Sequence, residues 1–406
     1  MSSLKYWVWL SSVSGVNAAV AGLLLRRFET PEQIYYADVG EFKEIGIKPA
    51  DISVLTRKNI EFANRILTKC EEERFRVITL QDVEYPDRLR NIYDPPIVLY
   101  IRGTLPVIDE EAAVAIVGTR SSTQSGIAVA ERIGYELARY GLLVVSGLAR
   151  GIDSAAAKGA LRGGGRVLGV LGCGLDVVYP SENEDLFDDV TKAGAIISEY
   201  PPGTPPHGGN FPVRNRILSG VALGVAVVEA PKGSGALITA SRALEQGRDV
   251  FAVPGSVTSS VYEGSNILLR EGAIPLLSGE NIAGEYEALF PDKIRLKRKE
   301  LVPLDKRGEE RLVKKYKSDT TSDDEKVIDI VPDVEYIDVD KVLEGLEGTE
   351  KAVASAIGNA MLHVDEIIIS TELPAPEVLT ALTMLEINSK VVRGEGNYFS
   401  LAASPS

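Results

Sequence analysis

Residues 114–126 read VAIVGTRSSTQSG, an apolar run that stops at a glycine and continues into small hydroxyl residues around one arginine. A strand that is apolar at every position is one buried on both faces. The glycine lets the chain turn sharply, and a helix beginning just beyond it points free N–H groups outward, where an anion is favoured. Thr119, Ser121, Ser122 and Ser125 add hydroxyl donors, while Arg120 supplies a planar, permanently charged fork that suits phosphate oxygens. A second account fits the same residues: a strand, a turn and a capped helix, with Arg120 in a local ion pair.

The pattern recurs from Ala112 to about Leu277. The apolar runs are VAIVG, LLVVSG, RVLGVLG, AIISEY, VAVVEA and VFAVPG, each followed by a helical stretch or a glycine-rich turn. This predicts a doubly wound, Rossmann-like, mostly parallel sheet covered by helices on both faces. The runs end at Gly118, Ser146 with Gly147, Gly172 with Gly174, Glu199, Glu229, and Pro254 with Gly255. In open α/β sheets such carboxyl ends form the binding crevice. Around them GLARGID (147–153) carries Arg150, with Asp153 placed to cap a helix; FPVRNR (211–216) carries Arg214, Asn215 and Arg216; and GSGALITA (233–240) opens a further helix. Internal ion pairs and tight glycine packing explain each segment singly, but four arginines around one crevice favour an anion site. Neither common nucleotide fingerprint is present: GTRSSTQSG replaces G-x-G-x-x-G, the second strand ends at Ser146 rather than an acid, and no G-x-x-x-x-G-K-[ST] run occurs.

At 406 residues the chain is long enough for two or three domains. Its two cysteines, Cys70 and Cys173, make neither a disulfide framework nor a thiolate zinc site, and His207 and His363 stand far apart without ligand spacing, so metal and triad chemistry are not expected. The absence of a signal peptide or a membrane-length apolar run suggests a cytoplasmic protein. The net charge of -14 argues against nucleic acid only until it is located. Basic and acidic residues number 14 and 17 in 1–111, 14 and 15 in 112–277, and 16 and 26 in 278–406, so the middle is nearly neutral and most acidity lies in the last third.

Residues 1–75 read as a small helical domain, of the SAM or helix-hairpin-helix kind. Ser14, Gly15, Val16 and Asn17 form either a phosphate-binding hairpin turn or a simple helix-packing turn. FRVITLQDVEYPDRL and the strand-like IVLYIRG read as a connector into the core, which with it spans 76–290. Residues 291–334 read as a charged linker: 293–317 hold 11 basic and 4 acidic residues, and 319–350 hold 12 acidic and 2 basic. Residues 335–406 give helix, helix, helix and hairpin, the winged-helix order. The third helix offers Glu377 and Glu386 and no basic residue before Lys390. A groove-reading helix carries Arg, Lys, Asn or Gln, so this module is expected to contact protein.

In this order and spacing, VGTRSSTQSG, VVSGLARGIDSAA, GVLGCGLDVVYPSEN, ISEYPPG, FPVRNRILSG, VVEAPKGSGALITA and GRDVFAVPG resemble the DNA-processing protein A family (DprA, also called Smf), over nearly the whole chain. The resemblance implies a non-enzymatic protein without cofactor that binds single-stranded DNA, dimerises through the Rossmann-like domain, protects incoming DNA and loads the RecA recombinase on it during natural transformation. By motif it implies binding positions at Gly118, Thr119, Arg120, Ser121, Arg150, Arg214, Asn215, Arg216, Ser234 and Gly235. Ser122, Gly147, Gly174, Gly233 and Thr239 complete the crevice set. One departure is Ala157, where the family has a histidine four residues after the aspartate of its GID motif. The competing reading is an enzyme of a related Rossmann-like superfamily that binds nucleotides or hydrolyses nucleoside monophosphates, with Glu229 as its carboxylate. Against it, PKGSGALIT stands where that class carries P-G-G-x-G-T-x-x-E.

Overall fold

The computed structural model describes residues 3–13, 16, 18–296, 343, 346, 348–357, 362–371, 373–388, 390–393 and 397–401. The linker from 297 onward, and Ser14, Gly15 and Asn17 of the hairpin turn, lie outside the described residues. The chain divides into two compact units, Met1–Thr321 and Ser322–Ser406.

The first unit opens with six helices: α1 (Leu4–Ser12), α2 (Ala18–Phe28), α3 (Pro31–Tyr36), α4 (Val39–Glu44), α5 (Pro49–Leu55) and α6 (Ile60–Glu72). Local chemistry sets several of their starts. The Thr30 hydroxyl accepts the Gln33 N–H ahead of a proline at the first turn of α3, and Asp38 with Glu41 forms a reciprocal capping box on α4. The sheet and its helices follow as β1 (Arg76–Thr79), α7 (Asp87–Arg90), β2 (Val98–Gly103), β3 (Ala113–Val117), α8 (Gln124–Tyr140), β4 (Leu143–Ser146), α9 (Ile152–Arg162), β5 (Val167–Leu171), α10 (Glu184–Ala193), β6 (Ala195–Ser198), α11 (Asn210–Val221), β7 (Gly224–Val227), α12 (Gly235–Glu245), β8 (Asp249–Ala252), α13 (Glu263–Arg270), β9 (Ile274–Pro275) and α14 (Gly279–Tyr286).

The nine strands lie in the order β1-β2-β6-β5-β4-β3-β7-β8-β9. All six apolar runs are parallel neighbours, as their all-apolar composition predicts. The segment read as a connector is more than that: β1 and β2 join the sheet antiparallel beyond β6, because Val98, Leu99, Tyr100 and Ile101 are apolar on both faces and all buried. Alternation along β3 divides the core. Val114 and Ile116 face one layer with Ala130, Ile133 and Ala156, and Ala113, Ala115 and Val117 face the other with Ile217, Val221 and Ala236. Trp7, Trp9, Leu10 and Phe42 of the N-terminal helices belong to the first of these clusters, so helices and sheet share one core.

The chain builds outward from β3 through β4, β5 and β6, then crosses back to place β7 on the other side of β3. The end of β3 is therefore the topological switch point, where an open α/β sheet leaves a crevice. The second unit is α15 (Gly348–Ile357), β10 (Leu362–His363), α16 (Val364–Thr371), α17 (Ala375–Ile387), β11 (Val391–Arg393) and β12 (Tyr398–Leu401), with its sheet in the order β10-β12-β11. That is a winged helix, closed on a core of its own that includes Val353, Ile367, Val378, Leu382 and Phe399. No helix among the described residues is long and apolar enough to cross a membrane.

Candidate functional site

A buried carboxylate fixes the loop after β3. The Thr119 N–H donates to the Glu229 carbonyl (2.8 Å), and the Glu229 side chain, fully buried, accepts from the Thr123 N–H (2.9 Å) and the Thr123 hydroxyl (2.5 Å). The same hydroxyl accepts the Gly126 N–H (3.0 Å) and so caps α8. The Tyr262 phenol reaches Glu229 too, and burial followed by that carboxylate raises its pKa. Gly126 is required here because a methyl group on it would overlap the Glu229 carboxylate. Glu229 is thus an anchor that does not face the crevice, and the nucleotide-hydrolase reading loses its carboxylate. Its sequence signal, an acid ending a strand beside a Thr N-cap, is legible only when the topology puts β7 next to β3.

Above the anchor Arg120 is exposed, its guanidinium lying 4.8 Å from the centre of the Phe211 ring. Tyr179, 39 % exposed, lies against the same ring with centroids 5.5 Å apart and planes at 32°. A cation and two rings therefore form a stack at the crevice mouth. Ser121 is exposed and Ser122 half-buried, and the Ser121 N–H donates to the Thr119 hydroxyl (3.2 Å).

Arg214 lies beneath this layer rather than in it. Its side chain is buried and donates to the carbonyls of Gly147 (3.0 Å) and Val170. Beside it Asp153, expected as a helix cap, instead accepts the N–H groups of Gly118 and Ala149, and the N-cap of α9 is Gly151 with φ +76°. A side chain at Gly151 would also strike the Thr119 and Arg120 carbonyls. Burial lifts the Asp153 carboxyl to about 6 against the pull of Arg214 and Arg120, and burial likewise lowers Arg214 to about 10 against the pull of Asp153. Gly147 leaves the space in which these two side chains meet.

Arg216, read with Arg214 as a phosphate contact, is buried in an ion-pair network with Glu199 (2.5 Å) and Asp94 (3.2 Å). Both arginines are interior because α11 is covered on every side from Arg214 to Val221. Arg150 is exposed and paired with Glu182. Asn215 donates to the Gly235 carbonyl (3.3 Å), Ser234 caps α12 by accepting the Ala236 N–H (3.3 Å), and Gly233 and Gly235 are exposed with open space beside them. Thr239 is buried and bonds back to the Gly235 carbonyl (3.4 Å), while Gly174 is buried in a turn closed on Thr204. Ala157 is fully buried in the core.

The structure thus brings together Gly118 to Ser122, Arg150 and the Gly233–Gly235 loop at one sheet edge, and puts Arg214, Arg216, Thr239 and Gly174 inside. The first turns of α8, α11 and α12 carry no acidic residue, so their dipoles face the edge uncompensated. The exposed Gly233 and Gly235, one stacked guanidinium and two rings suit a phosphate with a planar ring attached.

Residues 76–287 match the family model described as DNA recombination-mediator protein A, and residues 340–397 match the DprA winged helix domain. A protein named Smf from Synechocystis sp. is 34% identical, the match covering 97% of this chain and 98% of that one. The DNA processing protein DprA of Bacillus subtilis is 41% identical over 54% of this chain and 74% of its own length. The crystal structure of DNA processing protein A from Streptococcus pneumoniae superposes with a TM-score of 0.62 at 35% identity, covering 69% of this chain and 97% of that chain.

Proposed function

The chain belongs to the DNA recombination-mediator protein A family, and from that premise we propose that it binds single-stranded DNA in the crevice at the end of β3, protects the incoming strand and hands it to the RecA recombinase during transformation and recombination. The observation that carries this reading is Arg120: exposed, resting on Phe211, and set above helix N-termini without acidic residues. Phosphate oxygens meet the guanidinium and the N–H groups of Ser122, Gly233 and Gly235. A base meets the Phe211 and Tyr179 rings. Stacking is sequence-tolerant because every base has a π-face, so binding without strong sequence preference follows.

The proposed work of 76–290 is to hold the strand, with 335–406 contacting protein and two copies joining through the Rossmann-like domain. With Glu229 bonded to Thr123 and turned away from the crevice, the site is one for binding rather than turnover. The test is fluorescence anisotropy of a labelled oligo-dT with the wild type and Arg120→Ala over a salt series. The expected result is weaker binding and a log–log salt slope shallower by about one contact. An unchanged slope in a folded variant would move the strand off this crevice.

A further inference from the structure

On the other side of α11 from Phe211 lies a cavity of about 210 Å³, between the α1 and α2 helices and the end of β6. Its walls are largely apolar, with Leu10, Val16, Ala21, Ile97 and Val213 among them. Two charged side chains line it, Arg216 and Glu199. Arg216 spends Nε on Asp94 and Nη2 on Glu199 Oε2, which leaves its Nη1 and the Glu199 Oε1 without a hydrogen-bond partner although both are buried. The Arg216 side chain is only 4% exposed. An unmade bond on a buried charged group is costly, so an orphan donor and an orphan acceptor on one ion pair mark a place for a complementary group.

The chemistry of that group is constrained. One guanidinium against two carboxylates leaves no surplus positive charge, so a phosphate is not favoured. Apolar walls take a flat ring, and the unused donor and acceptor of the ion pair, once turned toward the cavity, read the edge of a ring that carries an acceptor beside an N–H. We propose that this cavity is a nucleobase pocket, separate from the crevice at Arg120, in which the ion pair turns so that Arg216 Nη1 donates to and Glu199 Oε1 accepts from the hydrogen-bonding edge of one base. Because Glu199 ends β6 and α11 carries Phe211 on its crevice side and Val213 on its cavity side, a base of the strand held at the crevice and a free nucleoside are the two sources of that ring. The strand source rests on the proposed DNA binding. The nucleoside source does not.

The test uses the full chain, with Val213→Phe to fill the cavity. Val213 is 46% exposed, so a larger ring there does not disturb the core. Two fluorescent probes are titrated, 2-aminopurine riboside and oligo-dT with a single 2-aminopurine, and Arg120→Ala serves as the crevice control. Quenching of the riboside by the wild type and by Arg120→Ala, weakened roughly tenfold or more in Val213→Phe, establishes the pocket for a free nucleoside. Quenching that the filling variant reduces only for the oligonucleotide establishes it for a base of the strand. If Val213→Phe matches the wild type with both probes, the nucleobase pocket is wrong, whether or not the strand binds. If oligo-dT fails to bind at all while the riboside is quenched in the wild type and not in Val213→Phe, the pocket stands and the single-strand function falls.

Discussion

Asp153 and Arg214 show how a charge supports a surface site from below. Their carboxylate and guanidinium are interior, and burial shifts each toward its neutral form, to about 6 and about 10. The sign of the stability effect follows. A carboxyl held at about 6 in the folded chain against 3.8 otherwise keeps its proton in the native state while the unfolded chain has lost it. Its contribution is fully present below the unfolded value and falls as pH rises through the window between the two, by at most roughly 1.4 kcal/mol per pH unit. Asp153→Asn removes that titration and keeps an oxygen for the Gly118 and Ala149 N–H groups. The stability of the wild type minus that of Asp153→Asn is therefore expected to decline from about pH 4 to about pH 6 and to level off above it. Urea unfolding at half-unit steps measures the difference, and a flat curve would mean that Asp153 titrates alike in the folded and unfolded chain.

At the scale of elements, helices are used in two ways. The N-termini of α8 and α12, capped by Thr123 and Ser234 and free of acidic residues, flank the proposed anion site. By contrast α17, placed where a winged helix would read DNA, holds no Lys or Arg, carries Glu377 in its first turn, and exposes Leu379, Met384 and Ile387. Thr380 and Thr383 turn their hydroxyls back onto the carbonyls of Pro376 and Leu379. The unit Ser322–Ser406, which has its own core, is accordingly expected to give no anisotropy change with labelled duplex DNA at low salt. Saturable tight binding would overturn the assignment of this unit to protein contact. The elements themselves were legible wherever one pattern sufficed: the six apolar runs named their strands. Sequence could not show that β1 and β2 extend the sheet, because edge position depends on pairing with β6, nor that β9, only two residues long, exists at all. It also could not rank the arginines. Arg120 and Arg214 both fall in motifs assigned to the crevice, and only the packing of α11 on both sides shows that one is displayed and the other enclosed.

For the whole molecule, the decisive quantity is where the charge lies. Residues 1–321 hold 39 basic and 41 acidic residues, a net of -2, and residues 322–406 hold 5 and 17, a net of -12; together these give the -14 of the chain. A polyanion that binds the crevice meets a nearly neutral unit, and the negative charge that would repel it belongs almost wholly to the second unit. Long-range repulsion acts on the encounter rate and is screened over a Debye length, about 10 Å at 0.1 M salt. Contacts made after docking act on dissociation. A chain ending at Thr321 keeps every crevice residue, from Gly118 to Gly235. It is expected to bind oligo-dT with a faster association rate than the full chain at low salt, by a factor of several, and with the same dissociation rate. The two association rates should converge as salt is raised. Stopped-flow anisotropy over a salt series reads both constants. Equal association rates at every salt concentration would show that the acidic unit exerts no field on the approaching strand, and a faster dissociation in the shorter chain would show that residues beyond Thr321 hold the strand directly.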